Sequence, residues 1–576
     1  MIERYSYDVV IVGGGAAGLR AAIAAASYND KLSVAVISKV YPMRSHTVSA
    51  EGGTAAVLKE YDSLELHALD TIKGSDYLAD QDAVEAFVRE APSEIIQLEH
   101  WGCPWSREPD GKLAARAFGG MSVKRTVYAA DKTGFHMLHT LFQQSLKYPN
   151  IVRYDEWFVT SLVVEDAMMK GVVALDLRTR ELAFIASRAV IMATGGAGRV
   201  FQFSTNAVIK TGDGMAMAYR AGAPLKDMEF IQFHPTALPG TGILITEASR
   251  GEGGYLINKD NERFLKRYTP EKMELGPRDI LSRALISEIR EGRGYDGPFG
   301  SYLLLDLRHL GEELIDRKLP FVRELAQNYA GIDPVHEPIP VRPAVHYTMG
   351  GIHTDVYGRT PVAGLYACGE AACVSINGAN RLGSNSLSEC LVFGRAAGVD
   401  AATLALSKKE RDKIGDGNLL HPVGEYVKAD GEKINSLLKR ERGDERLSDL
   451  RSQLQSIMDT HVGIFRDGSG LQEARRQIRE LRTRFRSAAI EDKGTVYNME
   501  VIEALELGFM LDVADAIALS ALLREESRGA HYRTDFPTRD DKNFLFHQLT
   551  HYLPEGPVIE HMGVTITNWQ PSERKY

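Results

Sequence analysis

Asp8-Val9-Val10-Ile11-Val12, followed at once by Gly13-Gly14-Gly15-Ala16-Ala17-Gly18 and an alanine-rich stretch to Ala26, decides the fold. The short apolar run reads as a strand, the glycines as a turn and the alanines as a helix. Gly13, Gly15 and Gly18 fit G-x-G-x-x-G, with Ala16 and Ala17 inside the same nucleotide-binding turn. That pattern lets backbone turn tightly, approach a pyrophosphate and start the helix close to the strand. A second apolar run, Ser33–Ile37, supplies the parallel neighbour strand and completes a βαβ unit. The fold class is therefore α/β, with a doubly wound dinucleotide-binding domain.

Further runs end in glycine at Ala189–Ala193, before Thr194-Gly195-Gly196, and at Gly364–Ala367, before Gly369-Glu370. They read as later strands of the same sheet. An NAD site would want Asp or Glu at the end of the second strand for the ribose, yet Ser38-Lys39 stand there. FAD fits better, because a long flavin nucleotide spans several strand ends. Glu370 is then placed to hold ribityl or ribose hydroxyls.

The chain has 576 residues, enough for two to four packed units. With 68 basic against 77 acidic residues and no long block of one sign, it carries no nucleic-acid footprint. No run of about eighteen apolar residues occurs, and Met1-Ile2-Glu3-Arg4 begins no apolar signal segment, so the chain reads as cytosolic and not itself membrane-spanning. The four cysteines, Cys103, Cys368, Cys373 and Cys390, are too scattered for a disulfide framework or an iron–sulfur or zinc set. Cys368 and Cys373 form a C-x4-C pair too deep in the chain for a flavin dithiol, and read as two unreactive thiols. His136-x-x-His139 lacks a third nearby metal ligand and reads as packing.

The roughly 170 residues between the third and fourth strands are rich in glycine and charge, and an insertion that large is its own unit. The expected organisation is a FAD-binding domain over 1–228 and 346–410, a capping domain over 229–345, a helical domain over 411–540 and a C-terminal segment over 541–576. Leu471, Ala474, Ile478, Leu481 and Phe485 recur three and four apart, an amphipathic helix; Arg475, Arg476, Arg479, Arg482 and Arg486 lie mostly on its other faces, as a solvated surface.

Arg44-Ser45-His46-Thr47-Val48, followed by Ala50-Glu51-Gly52-Gly53, resembles the flavin-attachment segment of the succinate dehydrogenase and fumarate reductase flavoprotein family. The resemblance continues through Gly102–Arg107, Ala129–His139, Gln232–Thr236, Thr246–Gly254, His346–Gly351, Gly378–Leu387 and Ser527–Asp541, nearly the whole chain. It implies a flavin bonded covalently through its 8α-methyl group to His46. Ser45, Thr47, Gly52, Gly53, Asp213, Asn385, Ser386 and Leu387 would join Thr194, Gly195, Ser38 and Lys39 at the cofactor. Such a bond raises the flavin potential, which suits the succinate/fumarate couple.

The resemblance also implies a small dicarboxylate substrate. His346 and Arg381 would hold one carboxylate, and His234 with Thr246 the other. The Arg381 fork binds bidentately, as lysine cannot. The family's proton donor is an arginine, which the motif Arg278-Asp279-Ile280-Leu281-Ser282-Arg283 places at Arg283, resupplied from solvent through Glu247 and Arg250. Electrons would pass to or from an iron–sulfur subunit, membrane anchor subunits and a quinone, with this chain peripheral on the cytoplasmic face of the membrane. A soluble L-aspartate oxidase is the alternative, opposed by His46; a sulfur-compound reductase would not need the clamp. Glu51, where dehydrogenase members tend to carry Gln, leans toward fumarate reduction.

Overall fold

The structure, a computed structural model, describes residues 3–407, 420–440 and 445–575. Five strands form one wholly parallel sheet in the order Leu365–Ala367, Val190–Met192, Val9–Val12, Val34–Ser38 and Ile151–Asp155. Four of the five coincide with the apolar runs that mark them. The fifth, Ile151–Asp155, is a half-buried edge without an apolar run.

Helix Ala16–Tyr28 buries every residue from Ala16 to Ala26. A helix buried on all sides needs small side chains wherever another backbone crosses it. Here Asn385–Leu406 crosses it, and Cβ atoms added at Gly394 or Gly398 would press on the carbonyls of Ala17 and Ala21. At the other contact, a Cβ on Gly18 would run into the Gly13 carbonyl oxygen. The glycine turn is thus a packing solution before it is a binding one.

Between the fourth and fifth strands in chain order, a separate apolar core runs from Leu238 to Val341. It is covered by an antiparallel sheet ordered Ile231–Ala237, Ile339–Thr348, Leu303–Asp306, Tyr255–Ile257. The two connections to the flavin-type fold are therefore paired with each other. The cap also rests on the parallel-sheet unit at Asp131, whose carboxylate accepts the Phe321 and Val322 amides at 2.8 and 3.2 Å, at the start of helix Pro320–Ala330. The expected boundary at 410/411 lies outside the described residues.

Helix Gly468–Phe485 buries Leu471, Ala474, Ile478 and Leu481, as their spacing predicts. Its arginines are not all a solvated face: Arg475 reaches Asp515 at 2.9 Å, and Arg482 pairs with Asp512, both buried on helix Met499–Leu523. Strand Phe546–His551 then returns to pair with Leu225–Lys226, so the C-terminal segment closes on the earlier fold. Among the described residues no helix is long and apolar enough to cross a membrane.

Gly18→Ala forces the helix start away from its strand, an overpacking effect of about 1–3 kcal/mol. Gly563→Ala, which meets open space, is the control. Thermal unfolding is expected to fall for the first and hold for the second; equal midpoints would contradict the packing account.

Candidate active site

The carboxyl ends of the parallel strands open into one cavity of about 760 Å³, roofed by the cap. Its volume lies in the range of cofactor and small-ligand sites. At the nucleotide end it is lined by Gly13, Gly15, Ala16, Ala17, Ser38, Lys39, Thr194, Gly195 and Asp213, and toward its middle by Ser45, His46, Thr47, Gly52, Gly53, Glu370, Ser386 and Leu387. Gly13 has φ +120° and its added Cβ would strike the Ala193 carbonyl, so only glycine serves there. Lys39 is held by Asp213 and Glu506, each at 2.7 Å. Glu370 lines the cavity as expected, but Lys210 pairs with its carboxylate and the Thr348 amide donates to it at 3.1 Å. Neither Lys210 nor its pairing was legible from the chain.

His46 opens a short 3-10 turn, and its Nδ1 accepts the Ala207 amide at 3.3 Å, leaving Nε2 to the cavity. Burial, with the charges of Lys210 and Arg199, holds its pKa well below the ordinary value, so the imidazole is neutral. With Nδ1 accepting, the proton of the neutral ring sits on Nε2, which becomes a nucleophile only on giving that proton up. Beside it, burial and Asp131 push the Glu51 carboxyl well up. The buried hydroxyls of Ser45 and Thr194 lack partners. Orphaned donors beside a glycine cradle fit a bound dinucleotide.

At the cap end, His234, Thr246, Glu247, Arg278, His346 and Arg381 line the same cavity. The histidine rings stand 5.0 Å apart. Pro235 has no N–H for the ladder, and the strand register shifts just there, between His234 and Ala237. His234 Nδ1 accepts the Thr236 amide at 3.2 Å, so its proton sits on Nε2, which is buried without a partner. His346 Nδ1 shares a 2.8 Å hydrogen bond with Thr205 Oγ1. Burial and the neighbouring Arg278 hold both histidines neutral. Arg381 donates to Ser386 Oγ at 2.7 Å and lies 4.4 Å over the Tyr347 ring, its Nε unpartnered. Burial and Arg278 push its pKa down to about 10.

Four expected residues are not at the cavity wall. Arg283 is the main correction: its guanidinium bonds the Gly529 carbonyl at 2.7 Å and Asp279 at 3.2 Å, away from the cavity. Five residues along a helix rotate a side chain by about 140°, so in helix Arg278–Arg290 it is Arg278 that faces inward. Arg278 Nε donates to Glu247 at 2.7 Å and Nη1 to Gln232 at 3.0 Å. Arg250 stands behind, 3.5 Å from Glu247. It is fully buried and ends on the Glu274 carbonyl, not in solvent. Asn385 turns away to His67 and Thr71, and Gly18 acts through helix packing. All four cysteines are free, and burial pushes Cys368 and Cys373 up to about 12, as unreactive thiols require. His139 packs on Phe135, ring centroids 4.3 Å apart.

A glycine cradle at the ends of a doubly wound sheet, joined under a cap to a cluster of arginines and neutral histidines, defines an FAD-dependent oxidoreductase acting on an anion. Residues 8–387 match the FAD binding domain family and residues 451–576 the fumarate reductase flavoprotein C-terminal family. The chain is 57% identical to the fumarate reductase flavoprotein subunit of Mycobacterium tuberculosis over 99% of each chain. It is 43% identical to the succinate dehydrogenase flavoprotein subunit of Rickettsia bellii, over 98% of this chain and 96% of that one. It superposes on E. coli quinol fumarate reductase FrdA with a TM-score of 0.96 at 48% identity, covering 100% and 99% of the two chains. The chain belongs to the fumarate reductase and succinate dehydrogenase flavoprotein family and is an FAD-dependent oxidoreductase of it.

Proposed function

We propose that this chain is the catalytic subunit that interconverts fumarate and succinate, with FAD bonded to His46, and that it exchanges electrons with an iron–sulfur subunit, membrane anchor subunits and a quinone at the cytoplasmic face of the membrane. The convergence of unpartnered buried donors on the cap end of the cavity carries the reading: His234 Nε2 and Arg381 Nε have no acceptor among the described residues. Leaving such groups unmade costs roughly 1–3 kcal/mol each, and a dicarboxylate satisfies them. FAD, when bound, supplies hydride exchange.

His346 and Arg381 hold one carboxylate, His234 and Thr246 the other. Neutral histidines suit this because they donate hydrogen bonds without titrating. Arg278 is the proton donor at the substrate carbon. An arginine is a poor acid, with a pKa above about 12. It serves when the developing carbanion is strongly basic and a carboxylate lies against it. Glu247 is that carboxylate: burial raises its pKa, but Arg278 and Arg250 outweigh burial and hold it below the ordinary value. The membership of relatives in a quinol fumarate reductase supports the partner assignment.

Three outcomes follow from these assignments. Denatured protein should keep flavin fluorescence on a gel, while His46→Ser should bind FAD noncovalently and lose succinate oxidation more than fumarate reduction; equal loss in both directions contradicts it. Arg381→Lys replaces a planar fork by a point charge and should weaken malonate binding at least ~10-fold; unchanged affinity removes Arg381 from the clamp. Arg278→Gln should retain flavin and fumarate binding yet lose at least ~1,000-fold in turnover, whereas Arg283→Gln should stay within about tenfold. The reverse pattern would restore Arg283 as donor.

A further inference from the structure

Behind the clamp, and outside the cavity lining, lies a buried carboxylate that none of the assigned roles uses. Glu389 sits in the first turns of helix Asn385–Leu406. Its Oε2 accepts the Tyr347 hydroxyl at 2.8 Å and the Asn377 side-chain amide at 3.0 Å. The Tyr347 ring in turn carries Arg381 at 4.4 Å, and Lys210 lies 6.0 Å from the same ring. Tyr347 is also the chain neighbour of His346.

A lone buried carboxylate costs several kcal/mol unless its donors are well placed, so this acid is poor material for mere filling. What it does accomplish is directional. It fixes the phenol from behind, and through Asn377 it fixes the segment that leads to Arg381. A phenol donating to a carboxylate also becomes more electron-rich, which strengthens the attraction of its face for a guanidinium. Arg381 otherwise has one side-chain hydrogen bond, to Ser386.

We propose that Glu389 is a positioning residue for dicarboxylate binding: acting through Tyr347, it sets the plane of the Arg381 guanidinium and steadies the backbone that carries His346. The inference rests on Arg381 being part of the clamp. Burial pushes the pKa of Glu389 up to about 7, while the hydrogen bonds from Asn377 and Tyr347 pull it back.

The test uses the flavin-loaded enzyme, with malonate as the probe ligand in calorimetry and FAD content read from the fluorescence of denatured protein. Tyr347→Phe keeps the ring and removes only the hydroxyl; it should bind malonate ~3- to 10-fold more weakly, the scale of one lost hydrogen bond, with full FAD content and KM for fumarate affected more than kcat. Glu389→Ala should match it, and Glu389→Gln, which keeps an acceptor oxygen for the phenol, should recover to within ~2-fold of the parent. Unchanged malonate affinity in Tyr347→Phe overturns the proposal, and so does FAD content that falls in step with malonate affinity. Should Glu389→Ala not fold, Tyr347→Phe decides alone. If Arg381→Lys binds malonate normally, the clamp itself is wrong; if it binds weakly while Tyr347→Phe and Glu389→Ala are unaffected, only the role of Glu389 falls.

Discussion

The pairing of strand Ile231–Ala237 with strand Ile339–Thr348 is the constraint on which the site depends. These strands are the way out to the cap and the way back, so the ladder between them sets where the cap sits over the sheet. It also carries His234 on one strand and His346 on the other, 5.0 Å apart. A break in the ladder at Pro235 would be a defect elsewhere; here it lets the Thr236 amide turn onto His234 and fix its tautomer. Side chains fixed on paired strands in this way are the kind of arrangement from which preorganisation comes.

The second requirement is electrostatic. Arg250, Arg278 and Arg381 crowd one buried region, with Glu247 the carboxylate that touches two of them. Gathering like charges away from water is costly, and the cost is visible in the depressed pKa of Arg381 and in the neutral histidines. A dianion entering the cavity offsets that excess. A single carboxylate would leave part of that surplus unmet, which is the electrostatic ground for the dicarboxylate proposed above. The same surplus keeps Glu247 ionised, the state in which it can hold Arg278 in place.

Much of this was legible in the chain because some signals are local. A strand, a glycine turn and an alanine helix are written in consecutive residues, and the 3.6-residue period of Leu471 to Leu481 needs no knowledge of its partner. Pairings across long separations are different. Lys210 with Glu370, Arg475 with Asp515 and Glu389 with Tyr347 join residues whose sequence neighbourhoods give no hint of each other. Edge strand Ile151–Asp155 escaped for another reason: half buried and flanked by polar residues, it has no apolar run to announce it. Asn385 lies inside a correctly placed motif yet points the wrong way, because a motif fixes backbone position and only the fold fixes direction.

Arg278 and Arg283 show the same limit in its sharpest form, since both belong to one motif on one helix. Their division of labour follows from the helix turn between them. Arg278 reaches inward to Glu247, while Arg283 reaches outward to the Gly529 carbonyl and to Asp279. Asp279 is buried and also receives Arg574 at 2.7 Å. Burial alone would raise its carboxyl, but Arg574 and Arg283 hold it below the ordinary range. One face of the helix is therefore tied to the C-terminal segment by the Asp279–Arg574 ion pair, while the other turns Arg278 toward the cavity. The outward arginine has its partners on the far side of the helix from the cavity that the inward one lines.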